Sequence, residues 1–213
     1  MNTTLFRFVA KLFGLMAITF TLWHVTASVL AAPVALSAGA LLQWWLPGLI
    51  EQAYLEGTTF LVITTIGETN GQMMSAAVAG NQLQLSNETR LLSYSVPFYA
   101  ALHFATPMEG TIERFARGLL VLWILMIVGL IALVLKDMMI TFGDVMFSRG
   151  ALLPPPAAVA LVYQFSVLIV PAVAPLLLWG YAARSNPLLN TLLGKAVALN
   201  DSARNTPNAP PPA

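Results

Sequence analysis

Between Gly118 and Leu135 the chain reads GLLVLWILMIVGLIALVL, an unbroken uncharged run bounded by Arg117 and Lys136. A helix rises about 1.5 Å per residue and the hydrocarbon core of a bilayer is about 30 Å thick, so a run of this kind suffices to cross it. Two more segments of the same character lie outward from it, Leu12 to Leu30 and Ala157 to Gly180. A fourth, Leu91 to Met108, is shorter but uncharged, and lies between Arg90 and Glu109. The composition agrees. The 213 residues are 58% hydrophobic and 9% charged, with a mean hydropathy of +0.77. Soluble domains are about 45–50% apolar and about 25% charged, so the surplus apolar surface here needs lipid as its solvent. A net charge of +1 offers no polybasic field for nucleic acid. The absence of cysteine excludes disulfides, thiolate metal sites and cysteine nucleophiles together.

The segment Pro33 to Ile50 is uncharged as well, and the positive-inside rule decides how to read it. If it does not span and the N-terminus is cytoplasmic, Arg7, Lys11, Arg114, Arg117, Arg184, Lys195 and Arg204 lie inside. Arg90, Lys136 and Arg149 then lie outside, seven basic residues against three. If the segment spans, the count is five against five. The expectation is therefore an all-α multi-pass membrane protein of about four spanning helices with both termini cytoplasmic. Residues 1–32 hold the first helix, 91–108 the second, 118–135 the third and 157–183 the fourth. A cytoplasmic loop covers 109–117, an outer loop 136–156, and a disordered cytoplasmic tail 184–213. Pro33, Pro47 and the pair Trp44/Trp45 suit a helix in the outer interface, where indole rings settle. Arg7 and Lys11 before an apolar run, and Ser28 to Ala32 after it, imitate a signal peptide. A cut after Ala32 would leave Pro33 first, an unfavourable arrangement, so a retained anchor is expected.

Residues 33–90 then form an extracytoplasmic piece. Thr58 to Ile66 is rich in β-branched residues and Gln82 to Ser86 alternates polar with apolar, which predicts a small hairpin or two-stranded ribbon. The gap between them contains Gly67, Asn70, Gly71, Gly80 and Asn81. Two strands alone are marginal in water, so they must rest on the interfacial helix, the membrane or a partner.

Few residues point to chemistry. His24 shares a helical stripe with Thr21 and Ser28, and His103 shares one with Ser95 and Tyr99. These are candidate buried polar positions, best read as hydrogen-bonding neighbouring helices. Intramembrane ionisable groups are also functional candidates in their own right. The two histidines should differ in depth by on the order of 10 Å on antiparallel helices, too far to share a metal. No Asp or Glu falls inside a predicted span, which weighs against a proton relay or cation pathway. Glu109 and Glu113, followed by Arg114 and Arg117, read as an exposed helix start with interfacial ion pairs. In the fourth helix Pro171 and Pro175 free carbonyls that a neighbour must satisfy, with Tyr163 and Gln164 about two turns outward. These four are candidate partner-docking residues. No motif for a serine hydrolase, zinc protease or phosphate-binding loop occurs, and no cofactor or small-molecule ligand is implied. Asn87-Glu88-Thr89 matches an N-glycosylation acceptor, a weak three-residue pattern.

Two stretches carry a resemblance. One is Asn87-Glu88-Thr89-Arg90-Leu91-Leu92-Ser93-Tyr94-Ser95-Val96-Pro97, leading into the short apolar helix. The other is Tyr163-Gln164-Phe165, then Pro171, then Ala174-Pro175-Leu176-Leu177-Leu178-Trp179. With this layout the chain resembles the bacterial exosortase H-associated membrane proteins over roughly Phe6 to Leu189. The resemblance implies an inner-membrane protein encoded beside an exosortase, a transpeptidase-like membrane enzyme that processes C-terminal sorting signals. Without cysteine this chain cannot be the cysteine-dependent sorting enzyme itself. The expected role is a non-catalytic accessory or scaffold whose partners are the lipid bilayer and an exosortase-like membrane protein. The alternative is a small transporter or channel component, which would need several copies to enclose a pore.

Overall fold

The computed structural model describes residues 3–143 and 153–184. The expected tail beyond Arg184 and residues 144–152 of the expected outer loop lie outside them.

Helix α1 (Thr3–Trp45) runs without interruption through Pro33. The expected boundary at residue 33, between a spanning helix and a separate interfacial one, is therefore absent. Proline in a helix interior removes one hydrogen bond, here to the Val29 carbonyl, at a cost of about 3 kcal/mol. That loss is outweighed because one buried stripe continues across it: Ala27, Ala31, Val34, Ala35, Ala38 and Leu42 are all within 2% of full burial. At about 1.5 Å per residue α1 is about 65 Å long, roughly twice the hydrocarbon thickness.

The chain after α1 forms strands β1 (Ile50–Glu56), β2 (Thr59–Thr64), β3 (Ile66–Thr69), β4 (Gln72–Ser75) and β5 (Gln84–Glu88), with a single helical turn α2 (Ala76–Ala79) between the last two. The two segments expected to be strands pair directly and antiparallel, from Thr59 opposite Glu88 to Ile63 opposite Gln84. A third strand was not expected: β1 pairs with the free edge of β2, giving the order β1-β2-β5. The glycine-containing gap folds as its own hairpin, β3 on β4. Its turn is Asn70-Gly71 with φ of 51° and 77°, the pair of positive φ values that a two-residue I′ turn demands. Phe60, Val62, Ile66 and Leu85 face inward into the core, where the sheet meets α1 through β1 and α5 through β5. The sheet thus rests on a helix, as two marginal strands require.

The chain returns through α3 (Arg90–Ser93) and α4 (Ser95–Ala105), crosses in α5 (Thr111–Phe142), and returns again in α6 (Pro156–Gln164), a π-helical turn (Phe165–Ile169) and α7 (Val170–Ala183). Three helical stretches are long and apolar enough to cross a membrane: Leu5–Trp45, Thr111–Phe142 and Pro156–Ala183. Residues 91–108, expected as a further span, fold as α3 and α4. Helix α4 has only 11 residues and packs between α1, α5 and α7. Hydrogen bonds from Thr19 to the Pro97 carbonyl in α4 (3.0 Å) and from Trp23 to Ser93 in α3 (3.1 Å) show that the α3–α4 segment runs antiparallel to α1. The core is continuous from the sheet into the helices, joining Leu42 and Phe60 to Leu92, Leu130, Val134 and Met138.

If α1 is one helix, Pro33→Ala restores a donor for the Val29 carbonyl. The thermal midpoint in detergent, followed by circular dichroism, should stay level or rise, with a gain of no more than about 3 kcal/mol. A clear fall would mean that the chain turns at Pro33.

Candidate functional site

Of the polar residues singled out in the sequence, three come together on α4. Ser95, Tyr99 and His103 are all at most 1% exposed. Ser95 donates to the Leu92 carbonyl at 2.9 Å, a bond local to the start of the helix. The Tyr99 ring lies parallel to Phe115, 7° between planes and 5.4 Å between centroids, and its hydroxyl donates to the Arg114 carbonyl at 3.3 Å. His103 Nε2 is 2.8 Å from the Thr111 carbonyl. A carbonyl only accepts, so that nitrogen carries the proton. Nδ1 is buried without a partner among the described residues, while Tyr99, Phe104 and Phe115 surround the ring. This arrangement packs and orients the turn between α4 and α5.

His24 is a correction. It is exposed, not buried, and Ser28 is only half-buried. At that level α1 meets α4 through Thr19, Trp23 and Ala27. At about 100° per residue, His24 falls roughly a quarter turn off that stripe. Among the described residues no three His, Asp or Glu side chains gather as metal ligands. Glu113 pairs with Arg117 one helical turn on, both well exposed, as expected of a helix start; such surface pairs contribute little. The Asn87 amide is 2% exposed on the inward face of β5, so the glycosylation pattern there is unreachable in the folded chain.

The four candidate docking residues divide into two pairs. Tyr163 is half-buried with Lys136 Nζ 4.8 Å above its ring, and Gln164 is exposed. Pro171 and Pro175 are buried against this chain's own helices. The stretch between Gln164 and Pro171 widens to a π-helical turn, which is how the helix accommodates the missing N–H of Pro171. Ser166, within that turn, is buried against Gly129 of α5. The outward side presents Leu161, Phe165, Leu168 and Leu177.

Sequence reasoning missed the contacts that tie the helix ends near Arg114. Trp179 Nε1 donates to Thr106 at 2.8 Å and its ring stacks 6.3 Å from Phe8. Arg114 donates to the Ala182 carbonyl at 2.8 Å. Between α5 and α7 lies a cavity of about 300 Å³ lined by Tyr99, Arg114, Arg117, Tyr181 and Arg184. The arginines entered the sequence reading only as topology markers; their clustering at two helix ends was the available signal.

Tyr99 reaches its place only because residue 118 has no side chain. A methyl group there would lie 2.0 Å from the tyrosine oxygen and 2.4 Å from its ring. Gly118→Ala should therefore cost about 1–3 kcal/mol of stability. In a Tyr99→Ala background that cost should disappear, so a double-mutant cycle read by thermal unfolding should return a coupling near the full penalty.

A family model described as exosortase H-associated membrane protein matches residues 2–186. No curated protein and no solved structure matches the chain. The match covers every described element, including the sheet and the α6–α7 unit, and the chain belongs to the exosortase H-associated membrane protein family.

Proposed function

We propose that this protein is a non-catalytic accessory subunit that scaffolds an exosortase-type enzyme in the bacterial inner membrane. In this reading four helical passes place both termini in the cytoplasm, and residues 50–88 outside it. What supports the orientation is charge. The end formed by Phe8, Thr106 and Ala182 carries Arg7, Lys11, Arg114, Arg117 and Arg184 against Glu109 and Glu113. The sheet end carries Arg90 and Lys136 against Glu51, Glu56, Glu68, Glu88 and Asp137. Basic residues collect on the cytoplasmic side.

The partner meets the outward side of α6, the π-helical turn and α7. The observation that carries this is Gln164. Its carboxamide is exposed about 12 Å along an apolar helix, amid exposed Leu161, Phe165 and Leu168. A polar group facing hydrocarbon is unfavourable unless another chain satisfies it. Pro156–Ala183 is also the least buried of the three long apolar stretches, which leaves it the largest free side. Tyr163 flanks the contact, and Pro171 and Pro175 shape it from behind.

Affinity purification in a gentle detergent, followed by mass spectrometry, tests the role. Wild type should bring down an exosortase-type membrane enzyme. Interhelical hydrogen bonds average about 0.6 kcal/mol and reach about 1.7, so Tyr163→Phe with Gln164→Leu should reduce recovery partially. Pro171→Ala with Pro175→Ala, which rebuilds the whole face, should reduce it further. Equal recovery from all three would overturn this docking face. Orientation is tested separately with single cysteines at Thr69 and Glu109 and an impermeant thiol reagent on intact spheroplasts. Thr69→Cys should label and Glu109→Cys should not; the reverse pattern would invert the topology.

A further inference from the structure

The cavity between α5 and α7 has no part in the accessory role proposed above, and its lining is divided by chemistry. Arg114, Arg117 and Arg184 line it at the helix ends, Tyr99 and Tyr181 also line it, and Val121 and Leu178 line it one to two turns further in along α5 and α7. Two of the three guanidiniums have no carboxylate partner among the described residues. Arg114 donates to the Ala182 carbonyl, and Arg184 lies 4.5 Å above the Tyr181 ring. Arg117 is paired with Glu113, but that pair is exposed and leaves most of its fork free. Three positive charges against one negative charge, set around a recess in the surface, form a site for an anion. Guanidinium groups match phosphate oxygens in pairs, which makes a phosphate the best-fitting anion.

We propose that this cavity binds the headgroup phosphate of an anionic phospholipid. The apolar part of the lining distinguishes a lipid from free phosphate. Val121 is 41% exposed and continues from the arginines toward Leu120 and Ile124, both also exposed on α5. A phosphate held at the arginines would therefore have its acyl chains along this apolar surface, where a soluble anion would have nothing. The arginines stand where α5 begins and α7 ends, the level at which headgroups meet the ends of spanning helices. Basic pockets between helices at that level are suited to anionic lipids. The inference needs only a membrane-embedded chain, not an exosortase partner.

The test uses the full-length protein in dodecyl maltoside, with bound lipid counted by native mass spectrometry and affinity taken from a lipid titration. Phosphatidylglycerol should bind at least about tenfold more tightly than phosphatidylcholine, a difference of about 1.4 kcal/mol. The exposed pair Arg117→Gln with Arg184→Gln should erase that preference, and Arg→Lys at both positions should restore part of it. Arg7→Gln, a basic residue at the same end but outside the cavity, should leave it intact. Equal binding of the two lipids would overturn the proposal, as would an equal loss in Arg7→Gln, which would signal only a basic surface. Inorganic phosphate stabilising the protein as much as phosphatidylglycerol does would reassign the cavity to a soluble anion and overturn the lipid assignment.

Discussion

The contact on which the rest of the structure depends is the small-residue stripe along the second half of α1. Ala31, Val34, Ala35, Ala38 and Leu42 meet the sheet and α5 on a single continuous helix. Residue 39 approaches the first strand so closely that a methyl group there would lie 3.3 Å from both the Ala53 carbonyl and its side chain. Small side chains let a helix and a sheet approach backbone to backbone, and dispersion between close surfaces is collectively large. The sheet has three short strands and a separate hairpin, too little to bury a core of its own. Its stability comes from α1, and so does its position. A rigid helix about 65 Å long carries the sheet at a set height relative to the bundle.

That construction explains how much was legible in the sequence. Residues 118–135 could be read locally because a long uncharged run has only one favourable solvent. Pro33 could not. The local rule assigns proline one lost hydrogen bond, whereas the compensation comes from packing of α1 against β1 and α5, elements distant in the chain. β1 was hidden for a similar reason. Glu51, Gln52 and Glu56 read as loop, and only pairing with the apolar β2 makes a strand of them. Asn70 and Gly71 were noted only within the gap between the two expected strands, because the residues beside them gave too little apolar alternation to announce a hairpin. Among site residues, Ser95, Tyr99 and His103 were legible because i, i+4 spacing within one helix is a local quantity. His24 failed because the burying stripe is set by where α4 crosses α1. The arginine cavity was visible only as basic residues at two helix ends, since Arg114 and Arg184 meet only after the chain has run out along α5 and back along α6 and α7.

Proline in the final helix shows how a local signal can be read correctly and still mislead about direction. On a straight α-helix Gln164 and Pro171 are seven residues apart and share one face, with Pro175 one turn further along it. Tyr163, Gln164, Pro171 and Pro175 therefore looked like one surface. The π-helical turn at Phe165–Ile169 takes an extra residue into a single turn, which rotates everything after it by about 100°. Gln164 thus remains outward while both prolines swing inward against α4 and α5. The missing proline donor and the rotation are one event: widening the turn relieves the helix of the lost bond and re-aims the following side chains. The result is a helix whose first half offers a polar handle outward and whose second half packs inward. Apart from Tyr181 at the far end, its remaining outward side chains are apolar and interchangeable between lipid and protein. In the docking proposed above, the polar contact falls to the first half, and the prolines would act by fixing the angle at which that half is presented.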